Sequence, residues 1–257
     1  MHPPRSLRHE YELYVEREIE DYKDSLPRSA LLAIGDEAVA TLRAESQTTL
    51  TELVLCEEVD RLITRRLKLP SYGTWRKRRL KELAELCRPE RWGLPADGVL
   101  ARELQASAEG EHVLVAGAEA EGTAIYSAAL GCAVTALEPS TDAADRIVAA
   151  AEALGLAERV RASVGDLAGW TPDVALRVVV CSPSALAPLS PGERARAITA
   201  LQRATLDGGV HLVRSLATCA REPSFEELRA RYADWAVSVE SDALAAQTFM
   251  ARKALVQ

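Results

Sequence analysis

A glycine turn and an acid about 20 positions beyond it are the residues of this chain whose types and spacing point most directly to chemistry. The turn reads VLVAGAEAEGTA, from Val113 to Ala124, and the acid is Glu138 in VTALEPS. A carboxylate so placed can accept hydrogen bonds from both hydroxyls of a ribose. Aligned with the pattern GxGxxG, the string supplies Gly117 and Gly122 but puts Glu119 where the middle glycine would let backbone approach a pyrophosphate. A carboxylate there is bulky and repels a diphosphate, so NAD and FAD are disfavoured. A nucleoside carrying positive charge in place of phosphate is compatible with Glu119 and Glu121.

Such a site needs a strand before the turn, a helix after it and a second strand leading to the acid. The second half of the chain has that grammar. Val113 to Ala116, Ala133 to Leu137, Val160 to Val164, Leu176 to Cys181 and Val210 to Val213 are short apolar runs of strand length, most of them separated by helical stretches. This alternation predicts parallel strands with crossover helices, covered on both faces. Ser140, Ser190 with Pro191 and Glu193, and Ser224 with Glu227 are placed to start helices. Ala236 to Glu240 and Gln247 to Ala251 read as a terminal antiparallel pair.

The first half, to about Ala106, is helical in period throughout. Tyr11, Val15, Ile19, Tyr22 and Leu26 line one face of a first helix. A second helix is expected from Ser29 toward Arg43. A third begins at the capping-box pattern of Thr49 and Glu52 and ends at Pro70. After a turn at Ser71 to Gly73, a fourth starts near Thr74 with Leu80, Leu83 and Cys87 on one side. Proline and glycine cluster from Arg88 to Gly98, which predicts the boundary between a helical region, 1–93, and an α/β domain, 94–257. A short helix, Val99 to Ala106, would open the second domain.

From about Leu94 to Gln257 the chain resembles the class I S-adenosylmethionine (SAM) dependent methyltransferases. The motifs that carry the likeness are the glycine turn at Gly117, the acid Glu138, the GDL of Gly165 to Leu167, the CSPS of Cys181 to Ser184, LDGGVHLV at Leu206 to Val213, and the closing QTFMARKA. SAM has a cationic sulfonium and ammonium and no phosphate, which suits the acidic turn. The resemblance implies a Rossmann-like α/β fold with a seven-stranded, mostly parallel sheet of order 3-2-1-4-5-7-6, preceded by the helical region. It implies SAM as cofactor, held by Gly117, Ala118, Glu119, Gly122, Glu138, Pro139, Asp166, Leu167, Cys181 and Ser182. Asp166 would accept from the adenine amino group, Leu167 would pack on the ring, and Cys181 to Pro183 would line the methyl-transfer position. No catalytic residue is assigned, because SAM brings an activated methyl group and positioning supplies much of the rate. The expected acceptor is a small molecule, with the helical region covering the active site. CSPS lacks the D/N-P-P-Y/F pattern of enzymes that methylate exocyclic amines of DNA bases.

Two competing readings remain open. Val115, Glu119 and Glu121 depart from the family's usual acid and glycines, which motivates a non-catalytic scaffold whose helices mediate interaction or homo-oligomerisation. The basic run Arg76, Lys77, Arg78, Arg79 and Lys81 motivates an RNA or DNA methyltransferase. Against the latter stand a net charge of −7 and an acidic first helix that can pair with the run. Nucleic acid and membrane are therefore not expected partners. The five cysteines form no CxxC pair, so neither a disulfide framework nor a metal site is expected, and a reducing cytoplasm fits. Cys181 reads as a small core residue, and His112 and His211 as structural.

Overall fold

The computed structural model of the chain describes residues 6–44, 52–117, 120–215, 223–241 and 247–255. Two compact units divide between Glu82 and Leu83.

The first unit is helical. It holds α1 (Leu7–Ser25), α2 (Arg28–Ala44), α3 (Glu52–Leu67) and the first part of α4 (Tyr72–Leu86). Ser6 starts α1 by accepting from the His9 N–H. The apolar face expected of α1 does meet a core: Ile19 is buried with Ile34, Ala38, Leu62 and Ile63, and Val15, Tyr22 and Leu26 pack against them. Thr49, half of the expected capping box, lies outside the described residues, while Glu52 opens α3.

The fourth helix departs from expectation. It begins at Tyr72 rather than Thr74, because Ser71 takes the cap: its Oγ accepts from the Thr74 N–H at 3.4 Å and its carbonyl from the Trp75 N–H at 2.9 Å. Tyr72 and Gly73 are thereby drawn into the first turn. Leu80 does not face a core; it is 43% exposed, and Trp75 is the buried residue of that turn. Trp75 lies against Tyr11 and Tyr14, with ring centroids 5.5 and 6.1 Å away. Tyr11 also donates its hydroxyl to the Pro70 carbonyl at 2.9 Å. Tyr11 and Tyr14 thus pack against Trp75. Arg79 donates to Glu10 at 3.2 Å, and Arg78 sits 3.6 Å from Glu82, so part of the basic run is answered by acids of the same unit. The Arg78–Glu82 pair is exposed and adds little stability.

The second unit is a three-layer α/β structure. Its strands are β1 (His112–Ala116), β2 (Ala133–Glu138), β3 (Val160–Val164), β4 (Leu176–Cys181), β5 (Thr205–Ser215), β6 (Ala236–Ser241) and β7 (Gln247–Arg252). They form one sheet of order β3-β2-β1-β4-β5-β7-β6, with β7 antiparallel to both β5 and β6 and every other pairing parallel. This is the expected order. Strand β5 starts earlier than its apolar run, at Thr205, and a register irregularity where Leu176 and Val178 pair across to Thr205 and Val210 absorbs the LDGG segment.

Alternation along the strands builds two cores. Val113, Val115, Val178, Val180, Val210 and Leu212 face α5 (Val99–Gln105), α6 (Ala120–Ala129) and α7 (Thr141–Ala153). Leu114, Ala116, Val179, Cys181, Val213 and Phe249 face the other way, toward α8 (Pro183–Leu186), α9 (Pro191–Ala204) and α10 (Phe225–Arg231). The predicted helix starts are observed: Ser140 and Ser224 cap α7 and α10, and Ser190 with Glu193 forms a complete capping box on α9.

His211 is structural, as expected. It is buried in β5, its Nε2 2.7 Å from the Thr205 hydroxyl and its Nδ1 2.7 Å from the Tyr232 hydroxyl. Thr205 spends its single proton on the Leu201 carbonyl, so it must accept from Nε2–H, and Nδ1 must accept from Tyr232. The network thus assigns a neutral imidazole.

Candidate functional site

Strand register fixes what lies at the carboxyl edge of the sheet. Leu137, Ala116, Cys181 and Val213 stand in one row across β2, β1, β4 and β5. The residues immediately beyond that row are Glu138, Gly117, Ser182 and Arg214.

Glu138 closes β2 and is only 2% exposed. Burial pushes its carboxyl pKa up; Arg146 and the backbone N–H of Ala120, at the start of α6, oppose that rise. A carboxylate offers about four acceptor positions, and among the described residues the backbone N–H of Ala120 is a donor to this one. Residues 118–119 lie outside the described residues, so nothing is assigned to Ala118 or Glu119. Glu121, in the first turn of α6, faces Arg146 at 3.9 Å.

Both glycines of the turn have a packing reason that spacing could not show. Gly117 has φ +98, a region that disfavours side chains. A Cβ there would lie 2.1 Å from Ser182 Oγ, 2.9 Å from Ala185 Cβ and 3.0 Å from the Ala185 nitrogen. Turning the serine rotamer would relieve only the first clash. Gly117→Ala is therefore expected to lower stability by about 2–3 kcal/mol, read from urea unfolding midpoints; an unchanged midpoint would contradict this close approach. Gly122 faces the 3-10 turn Pro89–Trp92: a Cβ would meet the Trp92 carbonyl at 3.1 Å. Its role in the structure is to let α6 approach that turn, which Trp92 fixes by donating Nε1–H to the Leu86 carbonyl.

The segment after β3 is turned partly inward. Asp166 is exposed, and its Oδ1 accepts from the N–H groups of Ala168 and Gly169 at 3.0 and 2.8 Å. Leu167 is buried in the core on the α9 face, against the sheet. Pro139 is exposed beside Glu138.

After β4, Cys181 is buried and its thiol is pushed up to about 12 by burial, which keeps it protonated and unreactive. Ser182 and Ser184 lie with their hydroxyls 2.6 Å apart at the edge. Arg194, absent from the sequence reading, holds this segment: 7% exposed, it donates to the carbonyls of Leu186 and Leu189 and bidentately to Glu227 at 2.8 and 3.0 Å. Its signal in sequence was only an arginine in a helix, and its partners come from two other segments.

The same edge carries a cleft of about 230 Å³ between the start of α5 and the tips of β5, β6 and β7, with Arg214 and Thr248 in its wall. Among the described residues no cluster of His, Cys, Asp and Glu could hold a metal ion, and no helix is long and apolar enough to cross a membrane.

The chain matches no protein-family model and no curated protein. Solved structures do resemble it. The CcbJ methyltransferase from Streptomyces caelestis superposes with a TM-score of 0.52 at 17% identity, over 62% of this chain and 90% of that one. A SAM-dependent methyltransferase from Aquifex aeolicus gives 0.47 at 16% identity over 64% and 97%, and TehB from Haemophilus influenzae gives 0.47 at 17% over 56% and 58%. The chain thus spans little more than half of TehB. The likeness to CcbJ, together with the strand order, shows the fold: it is that of the class I SAM-dependent methyltransferases.

Proposed function

We propose that the α/β unit binds SAM and that the chain is a SAM-dependent methyltransferase acting on a small-molecule acceptor. The observation that carries this reading is Glu138, a buried carboxylate at the end of β2, in a fold of this class. The ribose hydroxyls are the donors that suit it, because two neutral O–H groups can satisfy a desolvated carboxylate without adding charge.

The other roles follow from position. Asp166 Oδ2 accepts from the adenine amino group, since Oδ1 is held by its own turn. Ser182 and Pro183 border the place of methyl transfer, and the latch of Arg194 keeps them there. Leu167 and Gly122 are not carried forward as contacts, because one is spent on the core and the other on Trp92. When bound, SAM supplies an activated methyl group. The protein's own work is to orient it and to exclude water.

Glu138 is buried, with the Ala120 N–H bonded to it, and that burial is a cover a ribose would have to displace. That cover favours one alternative, a methyltransferase-like scaffold that has lost the cofactor. Calorimetric titration of the full chain with SAM separates the two. Saturable one-to-one binding supports the enzyme, and absence of binding by the wild-type chain removes it.

A further inference from the structure

The outer face of α4 is basic, and its own chain does not answer it. Trp75 and Arg79, four residues apart, face α1: Trp75 lies against Tyr11 and Tyr14, and Arg79 donates to Glu10. At about 100° per residue, Lys77 and Lys81 stand about 200° around the helix from Trp75 and Arg79 respectively. Both lysines are exposed, and Leu80, exposed between them, gives this face an apolar centre. Arg66, Arg78 and Arg79 make ion pairs; among the described residues Lys77 and Lys81 make none.

The complementary charge is on α1. Glu12, Glu16, Glu20 and Asp24 recur at every fourth residue and are all exposed, so they form one acidic stripe outside the face that Val15, Ile19 and Tyr22 bury. Arg8 answers Glu12 and Lys23 answers Glu20, whereas Glu16 and Asp24 make no ion pair among the described residues. Both stripes are unfavourable for the helices that carry them. Like charges four apart repel, as Lys77 does Lys81 and Glu16 does Glu20, and Asp24 adds negative charge to the last turn of α1, the negative end of its dipole. The stripes cannot relieve each other within one chain. Tyr11 meets Trp75 near the start of α1, Asp24 lies about 20 Å farther along that helix, and the two lysines project away from it.

We propose that the outer face of α4 receives the acidic stripe of α1 from a second copy of this chain, and that a two-fold axis makes the contact reciprocal. Because α1 and α4 adjoin through Tyr11, Tyr14 and Trp75, one helical unit presents both stripes at once, which is what a closed isologous dimer needs. Lys77 and Lys81 of each copy then meet the stretch from Glu16 to Asp24 of the other, with Leu80 as the apolar contact. A nucleic acid suits the surface less well, because the acids of α1 beside the basic face repel a polyanion. The surface is small and charged, so the association is reversible rather than obligate. It is independent of whether the α/β unit binds SAM.

The test is a charge swap on the full chain, read by sedimentation equilibrium from about 10 to 200 µM at about 50 mM NaCl, where charged contacts are little screened. One variant carries Lys77→Glu and Lys81→Glu, the other Glu16→Lys and Asp24→Lys. The wild type is expected to show a reversible monomer–dimer equilibrium. Each double variant alone should dimerise at least about tenfold more weakly, because like charges then face each other. An equimolar mixture of the two should dimerise about as strongly as the wild type, since both contacts regain opposite signs; such rescue also shows that both variants fold. The milder Lys81→Gln and Glu16→Gln should each weaken the dimer about threefold, the effect of losing one exposed pair. A wild type that stays monomeric over the whole range would overturn the proposal, and so would a dimer kept by either double variant alone or a mixture no more associated than its components.

Discussion

Glu138→Gln is expected to weaken binding of S-adenosylhomocysteine by about tenfold to a hundredfold while leaving the chain at least as stable at neutral pH. The affinity loss follows from exchanging a charged acceptor of two ribose hydroxyls for a neutral one, where a hydrogen bond to a charged group contributes about 1.5–3 kcal/mol. The stability half follows from burial, which raises the carboxyl pKa in the folded chain. Between the ordinary carboxyl value and the raised one, the folded state holds more proton than the unfolded state. Stability therefore falls as pH rises through that window, and the loss persists above it. Glutamine has no proton to lose and escapes the penalty, while its carbonyl can still accept from the Ala120 N–H. Thermal melts of both proteins at acidic and neutral pH would show the variant gaining on the wild type as pH rises. A variant that melts far below the wild type at neutral pH would make Glu138 a structural residue.

The buried His211 predicts an acid-sensitive fold. Its pKa is lowered to about 3, by burial first and by Lys253 second, against an ordinary value of 6.5. Between these values the unfolded chain takes up a proton that the folded chain refuses. Stability contributed by the neutral ring is complete above pH 6.5 and is lost as pH falls toward 3, at about 1.4 kcal/mol per unit, or roughly 3–4 kcal/mol by pH 4. A protonated ring would also set an Nδ1–H against the Tyr232 hydroxyl proton, breaking the chain of donors that runs from Tyr232 to the Leu201 carbonyl. Urea unfolding across this range should show the steep slope in the wild type and a shallower one in His211→Phe. That variant starts from a lower plateau, because two hydroxyls lose their partner. Parallel slopes would mean that the ring titrates normally and that other groups set the acid limit.

Much of the second unit is legible in the sequence because its signals are local. Apolar runs of strand length, a serine before each of α7, α9 and α10, and the acid at the end of β2 all depend on neighbours within a few residues. What stays hidden depends on partners far along the chain. Gly117 and Gly122 fit a nucleotide-turn reading by spacing, yet Ser182 and Trp92 are what press against them. Trp75 rather than Leu80 is buried in the first half of α4, where two tyrosines of α1 lie over it. Leu167 follows a family motif in sequence, but its environment is the hydrophobic face beneath the sheet. The pairing of Arg214 with Thr248 becomes visible only when the register of β5 and β7 is known.

The most direct measurement of the central claim is a thermodynamic cycle on the ribose contact. Wild-type chain and Glu138→Ala would each be titrated with S-adenosylhomocysteine and with its 2′,3′-dideoxy analogue. If Glu138 grips the sugar, the wild type should prefer the natural ligand by at least about tenfold, the variant should show almost no preference, and the coupling between carboxylate and hydroxyls should exceed about 1 kcal/mol. If the wild type binds both ligands equally, or binds neither, the carboxylate at the end of β2 does not hold a nucleoside.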